Sequence, residues 1–409
     1  MKILVVGFGV AGKDLYNYLK EQNHHVSVCD DFLQGEEFIQ ELEPFDLAIH
    51  SPGVPMISPW IQKIRAANIP LISEAEFAIS KLKGTLIGIT GTNGKTTTTL
   101  FLEYVLQKEN QAMAIGNNGV SFAKYLQNPL QNPLLLLELS SYQLEHLKTA
   151  QLDVGVILNI SQDHLDRYSS FEDYALAKIK MQEFVKPEGT LFVEYNTYQR
   201  FSKYFKREIV TFGYEKNADL TIRRDFLQNA NLHDRSNIFV AAQVLKALNI
   251  NPVKAIKAYQ TFQKPEHRLE FIDTIEGVHF FNDSKATNVG AVKAALLGLK
   301  HKRIFLIMGG EDKKSDFRAL KKTLKTSVKH LFVIGKSAKK IKQTFEKDLP
   351  ITEAVELEKA VKSAFEMAKA QDAILLSPGC ASFDQFENYV DRGNKFRYTV
   401  NKLKKGVSP

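Results

Sequence analysis

The segment TLIGITGTNGKTTTT, residues 85–99, constrains the fold more than any other part of this 409-residue chain. An apolar run that ends in a glycine-rich turn, a lysine and four threonines predicts a strand, a phosphate-binding loop and a helix. Glycine lets the backbone approach phosphate oxygens, and a helix N-terminus favours an anion. Lys95 can reach the terminal phosphates of a nucleotide, and the Thr96 hydroxyl can ligate Mg²⁺. Ile89 stands where the general pattern GxxxxGK, followed by Ser or Thr, has glycine, so the loop is a variant of that motif.

Length and composition predict a globular protein of about two or three domains. Hydrophobic residues make up 44% of the chain and charged residues 24%, and no apolar run approaches the roughly 18 residues of a membrane helix. The N-terminal apolar run is short and broken by glycines, which favours a first strand over a signal peptide. Cys29 and Cys380 are the only cysteines, so we expect no disulfide framework or zinc site, and a reducing, cytoplasmic setting.

The net charge of +8 raises the question of nucleic-acid binding. The lysines are scattered, without an interleaved aromatic stripe or a recognition-helix pattern. A solvated basic surface that suits anionic substrates is the better interpretation, and we expect no nucleic-acid partner.

The first segment carries the glycine pattern of a dinucleotide-binding fold. After the strand KILVV come Gly7, Gly9 and Gly12, and the second predicted strand, HVSVC, is followed by Asp30. These glycines specify a tight turn and a helix N-terminus that accepts a diphosphate, but not what the diphosphate carries. A nicotinamide or flavin dinucleotide and a UDP-sugar therefore both fit. A third predicted strand ends on the same edge of the sheet, at Ser51 and Gly53.

The second segment begins with the phosphate loop and repeats the strand-and-turn scheme. Glu138 follows the predicted buried strand LLLL, at a strand end where a second contact to Mg²⁺ is expected. The alternative interpretation is an acidic residue that starts a helix. His164 follows the strand DVGVILN among acidic residues, which favours a metal or phosphate site over a core histidine. Another strand ends at Asn117 and Asn118.

Two helices of the second segment carry further candidates. Lys178 and Lys180 lie on the predicted helix FEDYALAKIKMQEFV, where a plain surface position is the first interpretation of either lysine. Asp234 and Asn237 lie at the entrance of a later helix, where polar groups suit capping or a nucleotide base.

The third segment again ends its predicted strands in small or charged residues. The strand tips are NDSKATN with Asp283, Lys285 and Thr287, GGEDKKSDF with Lys313, GKS with Lys336, and SPGCASFDQF with Ser382. Ligands bind at the carboxyl edge of parallel sheets, so this segment is predicted to have a ligand edge of its own.

Taken together, TGTNGKTTTT, DHLDR, HRLE and NDSKATN resemble the ATP-dependent Mur ligases, with folylpolyglutamate synthase as a relative. Within that family, ELSSYQLE, GGEDKKSDF and SPGCASFDQF are most similar to the branch that adds D-glutamate to UDP-N-acetylmuramoyl-L-alanine. The resemblance implies an α/β fold of three domains, with a Rossmann-like N-terminal domain, a central P-loop ATPase-like parallel sheet and a Rossmann-like C-terminal domain. It implies a UDP-sugar domain over residues 1–83, an ATP domain over residues 84–264 and an amino-acid domain over residues 265–409.

The resemblance also implies a reaction and its cofactors. ATP phosphorylates the terminal carboxylate of the UDP-sugar substrate, and the amine of D-glutamate displaces phosphate from the acyl phosphate. Two Mg²⁺ ions are expected, together with a CO₂-derived carbamate on Lys178. The implied setting is peptidoglycan precursor synthesis in the cytoplasm, and through it cell shape and division, by a monomer that inserts into no membrane.

Site residues follow from the same resemblance, position by position. The implied catalytic residues are Lys95, Glu138, His164 and Lys178, and the implied metal ligands are Thr96, Glu138, His164 and the Lys178 carbamate. The implied ATP contacts are Gly91, Thr92, Asn93, Gly94, Lys95, Thr96, Thr97, Asp234, Asn237, Arg268, Asp283 and Lys285. The implied UDP-sugar contacts are Gly7, Gly9, Gly12, Asp30, Ser51, Gly53, Asn117, Ser140 and Gln143. The implied D-glutamate contacts are Thr287, Lys313, Ser382, Phe383 and Tyr389.

Two departures from the family pattern and three alternatives remain at this point. Asp31-Phe32 replaces a Thr-Arg or similar polar pair at the expected uracil site, and Asn231-Leu232-His233-Asp234 replaces Gly-x-His-Asn before the base-binding helix. The alternatives are another amino-acid ligase, namely another Mur ligase or a folylpolyglutamate synthase, a nicotinamide dehydrogenase, and a nucleotide-binding interaction protein without catalysis.

Overall fold

The structure is a computed structural model that describes residues 1–33, 35, 38–107, 112–117, 119–223, 225–227, 230–299, 301 and 303–407. Three sheets follow one another along the chain, which confirms the predicted α/β class. The chain divides into two compact units, Met1–Ile160 with Ala175–Arg224 and Ser236–Phe262, and Ser161–Tyr174 with Asp225–Arg235 and Gln263–Pro409. The domain limits after residues 83 and 264 stay predictions.

The first sheet is built from four parallel strands with helices between them. Its strands are β1 (Lys2–Val6), β2 (His25–Cys29), β3 (Leu47–His50) and β4 (Leu71–Ser73), and its helices are α1 (Val10–Glu21), α2 (Pro59–Ala66) and α3 (Glu74–Ile79). The strand order is β2-β1-β3-β4. Side chains alternate along β1, so that Ile3 and Val5 join one hydrophobic cluster while Leu4 and Val6 join another. The sheet is therefore covered on both faces, as parallel sheets are.

The second sheet has seven parallel strands in the order β11-β10-β9-β8-β5-β7-β6 once they are numbered along the chain. The strands are β5 (Thr85–Thr90), β6 (Ala112–Gly116), β7 (Leu134–Glu138), β8 (Leu152–Ile157), β9 (Val185–Glu194), β10 (Val210–Gly213) and β11 (Leu220–Thr221). Because β5 pairs with both β7 and β8, the ends of these three strands lie side by side, with Ile89 opposite Glu138 and Thr90 opposite Ile157.

In the described part of this segment, seven α-helices and two short 3₁₀ helices connect and follow these strands. They are α4 (Lys95–Leu106), α5 (Phe122–Gln127), α6 (Ser141–His146), α7 (Phe171–Ile179), α8 (Tyr195–Phe201), α9 (Leu232–Ala247) and α10 (Val253–Ala258), with 3₁₀ turns at Lys180–Glu183 and Ser202–Tyr204. The predicted start of a helix near Lys95 is confirmed.

The third sheet has six strands, all parallel except for the hairpin of β12 and β13. Its strands are β12 (Glu270–Ile275), β13 (Val278–Asn282), β14 (Ile304–Gly309), β15 (Val328–Ile334), β16 (Ile351–Val355) and β17 (Ala373–Leu376), in the order β12-β13-β17-β14-β15-β16. Its helices are α11 (Val289–Gly298), α12 (Lys321–Ser327), α13 (Ala338–Phe345), α14 (Leu357–Met367) and α15 (Tyr389–Val407), with a 3₁₀ turn at Phe317–Leu320.

Alternating side chains of the central strand β14 show how this third core is made. Ile304, Leu306 and Met308 pack into one cluster, whereas Phe305 and Ile307 pack into the cluster on the opposite face. The edge strand β16 was not predicted, because its sequence, ITEAV, is half polar and short.

Two further features bear on the chemistry of the chain. Cys29 and Cys380 are both buried free thiols. Among the residues described above, no helix has the length and apolar composition needed to cross a bilayer.

Gly9 and Gly12 form a matched pair that tests the packing of α1 on β1. A Cβ at Gly12 would lie 2.0 Å from the carbonyl oxygen of Gly7, whereas a Cβ at Gly9 would meet nothing within 4 Å. Gly12→Ala is therefore expected to lower the free energy of unfolding by about 1–3 kcal/mol, the usual cost of overpacking. Gly9→Ala is the control, with a change of less than about 0.5 kcal/mol. Equal unfolding midpoints for the two variants in urea would contradict this account.

Candidate functional site

The phosphate loop lies between β5 and α4, and two of its glycines need left-handed backbone angles. Gly91 has φ 148° and Gly94, the N-cap of α4, has φ 88°, conformations that residues with a Cβ rarely adopt. A Cβ at Gly94 would also lie 2.7 Å from Oδ1 of Asn237. Asn237, which was predicted to contact the nucleotide, is thus placed against the phosphate loop.

Asn159, at the end of β8, holds this loop in place. Its Oδ1 accepts a hydrogen bond from the Asn93 N–H at 3.0 Å, and its Nδ2 donates to the Asn93 carbonyl at 2.8 Å. The Thr92 N–H donates to the Asn159 carbonyl at 2.8 Å. The Lys95 ammonium donates to the carbonyls of Gly91 at 2.8 Å and Thr92 at 3.2 Å, so it lies directly against the loop. Sequence reasoning gave Asn159 no role, although an amide at the tip of a strand next to the phosphate loop was the available signal.

Glu138 has a carboxylate oxygen suited to a cation. The residue is 2% exposed, and its Oε1 accepts a hydrogen bond from Nδ2 of Asn117 at 3.1 Å. Its Oε2 is buried without a hydrogen-bond partner among the described residues. An oxygen of this kind fits Mg²⁺, which prefers carboxylate and hydroxyl ligands, and the buried Thr96 begins the neighbouring helix. In the part of the chain that the structure describes, no group of three or more His, Cys, Asp or Glu side chains is arranged to hold a metal by itself.

Lys178 is buried, so its interpretation as a plain surface lysine is wrong. It is 2% exposed and lies on α7 with Tyr174 and Ala175, which are buried one turn earlier. The helical period of 3.6 residues puts these three side chains on one inward face. Lys180 is partly buried and its ammonium donates to the carbonyls of Glu145 at 2.7 Å and Leu147 at 3.0 Å, so it is not a plain surface lysine either.

A cavity of about 430 Å³ opens at the carboxyl edge of the first sheet. Most of the residues predicted to bind a UDP-sugar line it, namely Gly7, Gly9, Asp30, Ser51, Gly53, Asn117 and Gln143. Gly12 does not line the cavity, because it lies where α1 packs closely against the Gly7 carbonyl. Ser140 does not line it either, since its hydroxyl and the Gln143 side chain form a capping box at the start of α6.

Asp30 organises the loops around this cavity. Its carboxylate accepts hydrogen bonds from the N–H groups of Phe8 at 2.7 Å, Phe32 at 2.9 Å and Leu33 at 3.2 Å. The Phe32 side chain lines the cavity and is 91% exposed. Asp31 also lines the cavity, so the pair that departs from the family pattern lies at its wall.

Glu74, the first residue of α3, lines the same cavity and was missed by sequence reasoning. It is 1% exposed, and its Oε1 accepts a hydrogen bond from the Ala123 N–H at 3.2 Å. Burial raises the pKa of its carboxyl to about 7, and the charge of Asp14 adds to the rise while the Ala123 hydrogen bond opposes it. The signal was present in LISE, where an acid directly follows β4 at the ligand edge.

The second unit brings together residues that were predicted for two different ligands. The Asp283 carboxylate accepts hydrogen bonds from the Leu269 N–H at 3.0 Å and the Ser377 hydroxyl at 2.9 Å. Burial raises the pKa of Asp283 to about 7 against the effect of these hydrogen bonds. The Lys285 ammonium lies 3.6 Å from the centroid of the Tyr389 ring, so a predicted ATP residue contacts a predicted D-glutamate residue.

Arg392 ties the loops of this second unit together and was not predicted. It is fully buried and donates to the Ser284 hydroxyl and carbonyl and to the carbonyls of Cys380 and Ala381. Burial lowers the pKa of its guanidinium to about 10. An arginine on a C-terminal helix with a polar sequence is more typical of a surface, which is why the sequence did not reveal it.

Asp163 is the centre of a third polar cluster within the second unit. It accepts hydrogen bonds from the Lys313 ammonium at 3.2 Å and Nδ2 of Asn288 at 3.0 Å. Nε2 of His164 lies 3.7 Å from its Oδ2, and His164 has φ 56°. Burial alone would raise the pKa of Asp163, but the charges of Lys313 and His164 and these hydrogen bonds hold it below its usual value. Lys313, predicted to meet a carboxylate of D-glutamate, thus already faces a carboxylate.

For the other predicted residues the structure gives a position, and their roles stay predictions. Asp234 accepts a hydrogen bond from Nδ2 of Asn231 at 2.8 Å and pairs with Lys264, so its carboxylate serves the start of α9. Ser382 is buried, whereas Phe383 is exposed. Asn118 and the side chain of His233 lie outside the described residues, and Thr97, Arg268 and Thr287 stay predictions.

Comparison with known proteins defines the class to which this nucleotide-binding fold belongs. Residues 89–251 match the Mur ligase middle domain, and residues 267–380 match the Mur ligase, glutamate ligase domain. The chain belongs to the Mur ligase family. It is 35% identical to UDP-N-acetylmuramoylalanine--D-glutamate ligase of Protochlamydia amoebophila and 33% identical to that of Chlamydia pneumoniae, each over 98% of both chains.

Solved structures show the same fold at lower identity. MurF ligase from Thermotoga maritima in complex with ADP matches with a TM-score of 0.66 at 16% identity, over 99% of this chain and 95% of that one. A pseudomurein peptide ligase type C from Methanothermus fervidus matches with a TM-score of 0.64 at 20% identity, over 98% of this chain and 100% of that one. These neighbours support the three-domain α/β architecture.

The raised pKa of Glu74 predicts a pH-dependent stability. Below pH 4.5 the carboxyl is neutral in the folded and the unfolded chain, and the stability from its neutral form is lost as the pH rises through about 7. Glu74→Gln cannot ionise, so it is expected to stabilise the protein by roughly 3 kcal/mol at pH 8.5 and by less than about 1 kcal/mol at pH 5. Thermal unfolding at the two pH values measures this. The same gain in melting temperature at both would contradict the raised pKa.

Proposed function

We propose that the protein is an ATP-dependent amide-bond-forming ligase that joins D-glutamate to UDP-N-acetylmuramoyl-L-alanine in peptidoglycan precursor synthesis. The observation that carries this proposal is the similarity over nearly the whole chain to relatives named UDP-N-acetylmuramoylalanine--D-glutamate ligase. The phosphate loop and the cavity of the first sheet supply what such a reaction needs at its two nucleotide substrates.

A carboxylate is a poor electrophile, so amide formation needs its activation. Phosphoryl transfer from ATP converts the alanine carboxylate to an acyl phosphate, and the D-glutamate amine then attacks the carbonyl carbon and expels phosphate. Lys95 and the other N–H groups of the phosphate loop bind the ATP phosphates, and Asn159 holds the loop backbone through the N–H and the carbonyl of Asn93. Little reorganisation of the loop is then required during the reaction.

Within the first unit, Mg²⁺ would be held by Thr96, Glu138 and a carbamate on Lys178, and would neutralise charge on the phosphates when bound. The unpartnered Oε2 of Glu138 is the observation that supports this assignment. Burial of Lys178 supports the carbamate, because a side chain inside the fold has a role other than that of a plain surface lysine.

The amino acid is expected on the loops that Arg392 ties together in the second unit. Lys313 offers a cation and Thr287, Ser382 and Tyr389 offer hydroxyls for the two carboxylates of D-glutamate, and Phe383 is the fifth expected contact. Lys313 is already paired with Asp163, so binding of a glutamate carboxylate would compete with that pair. We further propose that the enzyme acts as a monomer in the cytoplasm.

The dehydrogenase alternative is disfavoured by the similarity over nearly the whole chain to relatives named UDP-N-acetylmuramoylalanine--D-glutamate ligase. Another amino-acid ligase of the same superfamily remains the alternative to D-glutamate addition, and substrate choice decides between them.

The deciding assay supplies UDP-N-acetylmuramoyl-L-alanine, ATP and Mg²⁺ and measures phosphate release. We expect release to depend on D-glutamate, with little turnover when L-alanine or diaminopimelate replaces it. Equal turnover with those amino acids, or none with any amino acid, would contradict the proposed function. Binding of UDP but not NADH is expected in a parallel titration.

Lys95→Ala in this assay tests the phosphate loop. Loss of one preorganised charge that stabilises the transition state is expected to lower the rate by roughly 10²- to 10³-fold, or about 3–4 kcal/mol. Lys216→Ala, at an exposed position of the same unit, is the control and should keep the full rate. Near-complete activity of Lys95→Ala at an unchanged melting temperature would mean that the loop does not bind ATP.

Lys178→Ala tests the carbamate. The variant is expected to lose most activity and to recover part of it when a short carboxylate such as acetate or formate is added, because the carboxylate can replace the carbamate. Lys180→Ala is a matched control two residues away, in which added carboxylate should have no effect. Full activity of Lys178→Ala without added carboxylate would exclude a carbamate there.

A further inference from the structure

We propose that Glu74 binds the sugar arm of the nucleotide substrate, and that its carboxylate accepts a hydrogen bond from a hydroxyl or amide N–H of the amino sugar. The inference rests on the proposed function, because it takes the cavity of the first sheet as the nucleotide-sugar site. Glu74 would make the site bind a nucleotide sugar more tightly than a nucleotide without the sugar.

The first observation is an unsatisfied oxygen. Glu74 lines the cavity, although only 1% of its surface is exposed. Its Oε1 accepts the Ala123 N–H, while its Oε2 accepts no hydrogen bond from the residues that the structure describes. A carboxylate oxygen that lines a cavity and accepts no hydrogen bond from the described protein is open to a donor on a ligand.

The second observation is the place of Glu74 along the edge of the sheet. The strand order β2-β1-β3-β4 puts Phe32, after β2, at one end and Glu74, after β4, at the other. Parallel strands are spaced about 4.8 Å apart, so the two ends are separated by roughly 14 Å. The glycine loop after β1 and the Ser51 turn after β3 lie between them. This order matches the order of parts in a nucleotide sugar, with a diphosphate in the middle.

The chemistry of the two ends fixes the direction of the ligand. The backbone N–H groups of the glycine loop and the N-terminus of α1 suit the diphosphate. The exposed ring of Phe32 offers a flat apolar face on which a base can stack. The Glu74 carboxylate would repel phosphate, and it does not stack on the face of a pyrimidine. It can accept hydrogen bonds from the hydroxyl and amide donors of an N-acetylated sugar.

Two acceptor atoms on the Glu74 side of the cavity are already engaged. The Ser121 hydroxyl donates to Oδ2 of Asp14 at 2.7 Å and accepts the Lys124 N–H. Oε1 of Gln143 accepts hydrogen bonds from Ser140 at 2.9 Å. Oε2 of Glu74 therefore stands out on this side as an acceptor that a sugar donor can reach.

The experiment compares binding of two ligands by calorimetry at pH 8, where the Glu74 carboxyl is mostly ionised. UDP contains the base and the diphosphate, whereas UDP-N-acetylmuramoyl-L-alanine adds the sugar arm. Glu74→Gln is expected to bind UDP within twofold of the wild type and UDP-N-acetylmuramoyl-L-alanine about 10- to 100-fold more weakly, the range for a hydrogen bond to a charged group. Glu74→Asp keeps the charge but places the carboxylate one methylene farther from the cavity. It should likewise weaken binding of UDP-N-acetylmuramoyl-L-alanine but not of UDP.

Glu76→Gln is the matched control on the same helix. Glu76 is also buried, but its carboxylate accepts hydrogen bonds from Lys148 and Thr149 and does not line the cavity. Glu76→Gln is expected to lower the melting temperature while leaving the ratio of the two dissociation constants unchanged.

The outcomes separate this inference from the proposed function. Wild-type affinity of Glu74→Gln and Glu74→Asp for the sugar ligand, or an equal loss for both ligands, would overturn the inference alone. If the wild type failed to bind UDP-N-acetylmuramoyl-L-alanine, the proposed function would fail and the inference with it. Retained UDP binding by either variant shows that its cavity is folded.

Discussion

The hydrogen bonds between Asn159 and the phosphate loop hold the loop on which the proposed ATP site depends. They exist because β5 and β8 are parallel neighbours, so both strands end at the same edge of the sheet. The same pairing puts Glu138, at the end of β7, on the other side of β5. Backbone N–H groups, a lysine and a carboxylate are thereby held by the sheet itself.

The first sheet repeats this principle with a different outcome. Its four strand tips surround a cavity instead of a tight phosphate cradle, and polar side chains there have two kinds of role. The Asp30 carboxylate accepts hydrogen bonds from the backbone of its own loops, whereas Glu74 accepts one with Oε1 and has its Oε2 open to the cavity. Two acids at equivalent strand ends thus serve structure in one case and, as we infer, recognition in the other.

Much of the fold and part of the site could be predicted, and the reasons for the failures are physical. Local signals were sufficient for the phosphate loop, because Gly91, Gly94 and Lys95 lie within five residues and start a helix themselves. Local signals misled at Lys178, where the choice between surface and interior depends on what packs against α7. Local signals gave no indication of the role of Arg392, because its hydrogen-bond acceptors lie more than ten residues away in the chain.

The sequence by itself determined the α/β class, the phosphate loop and the glycine turn of the first sheet. These features follow from short-range periodicity and from the backbone freedom of glycine. Only the tertiary structure decided which polar side chains are satisfied and which are left for a ligand. That distinction separates Asp30 from Glu74, because hydrogen-bond partners are set by strand pairing and burial between residues distant in the chain.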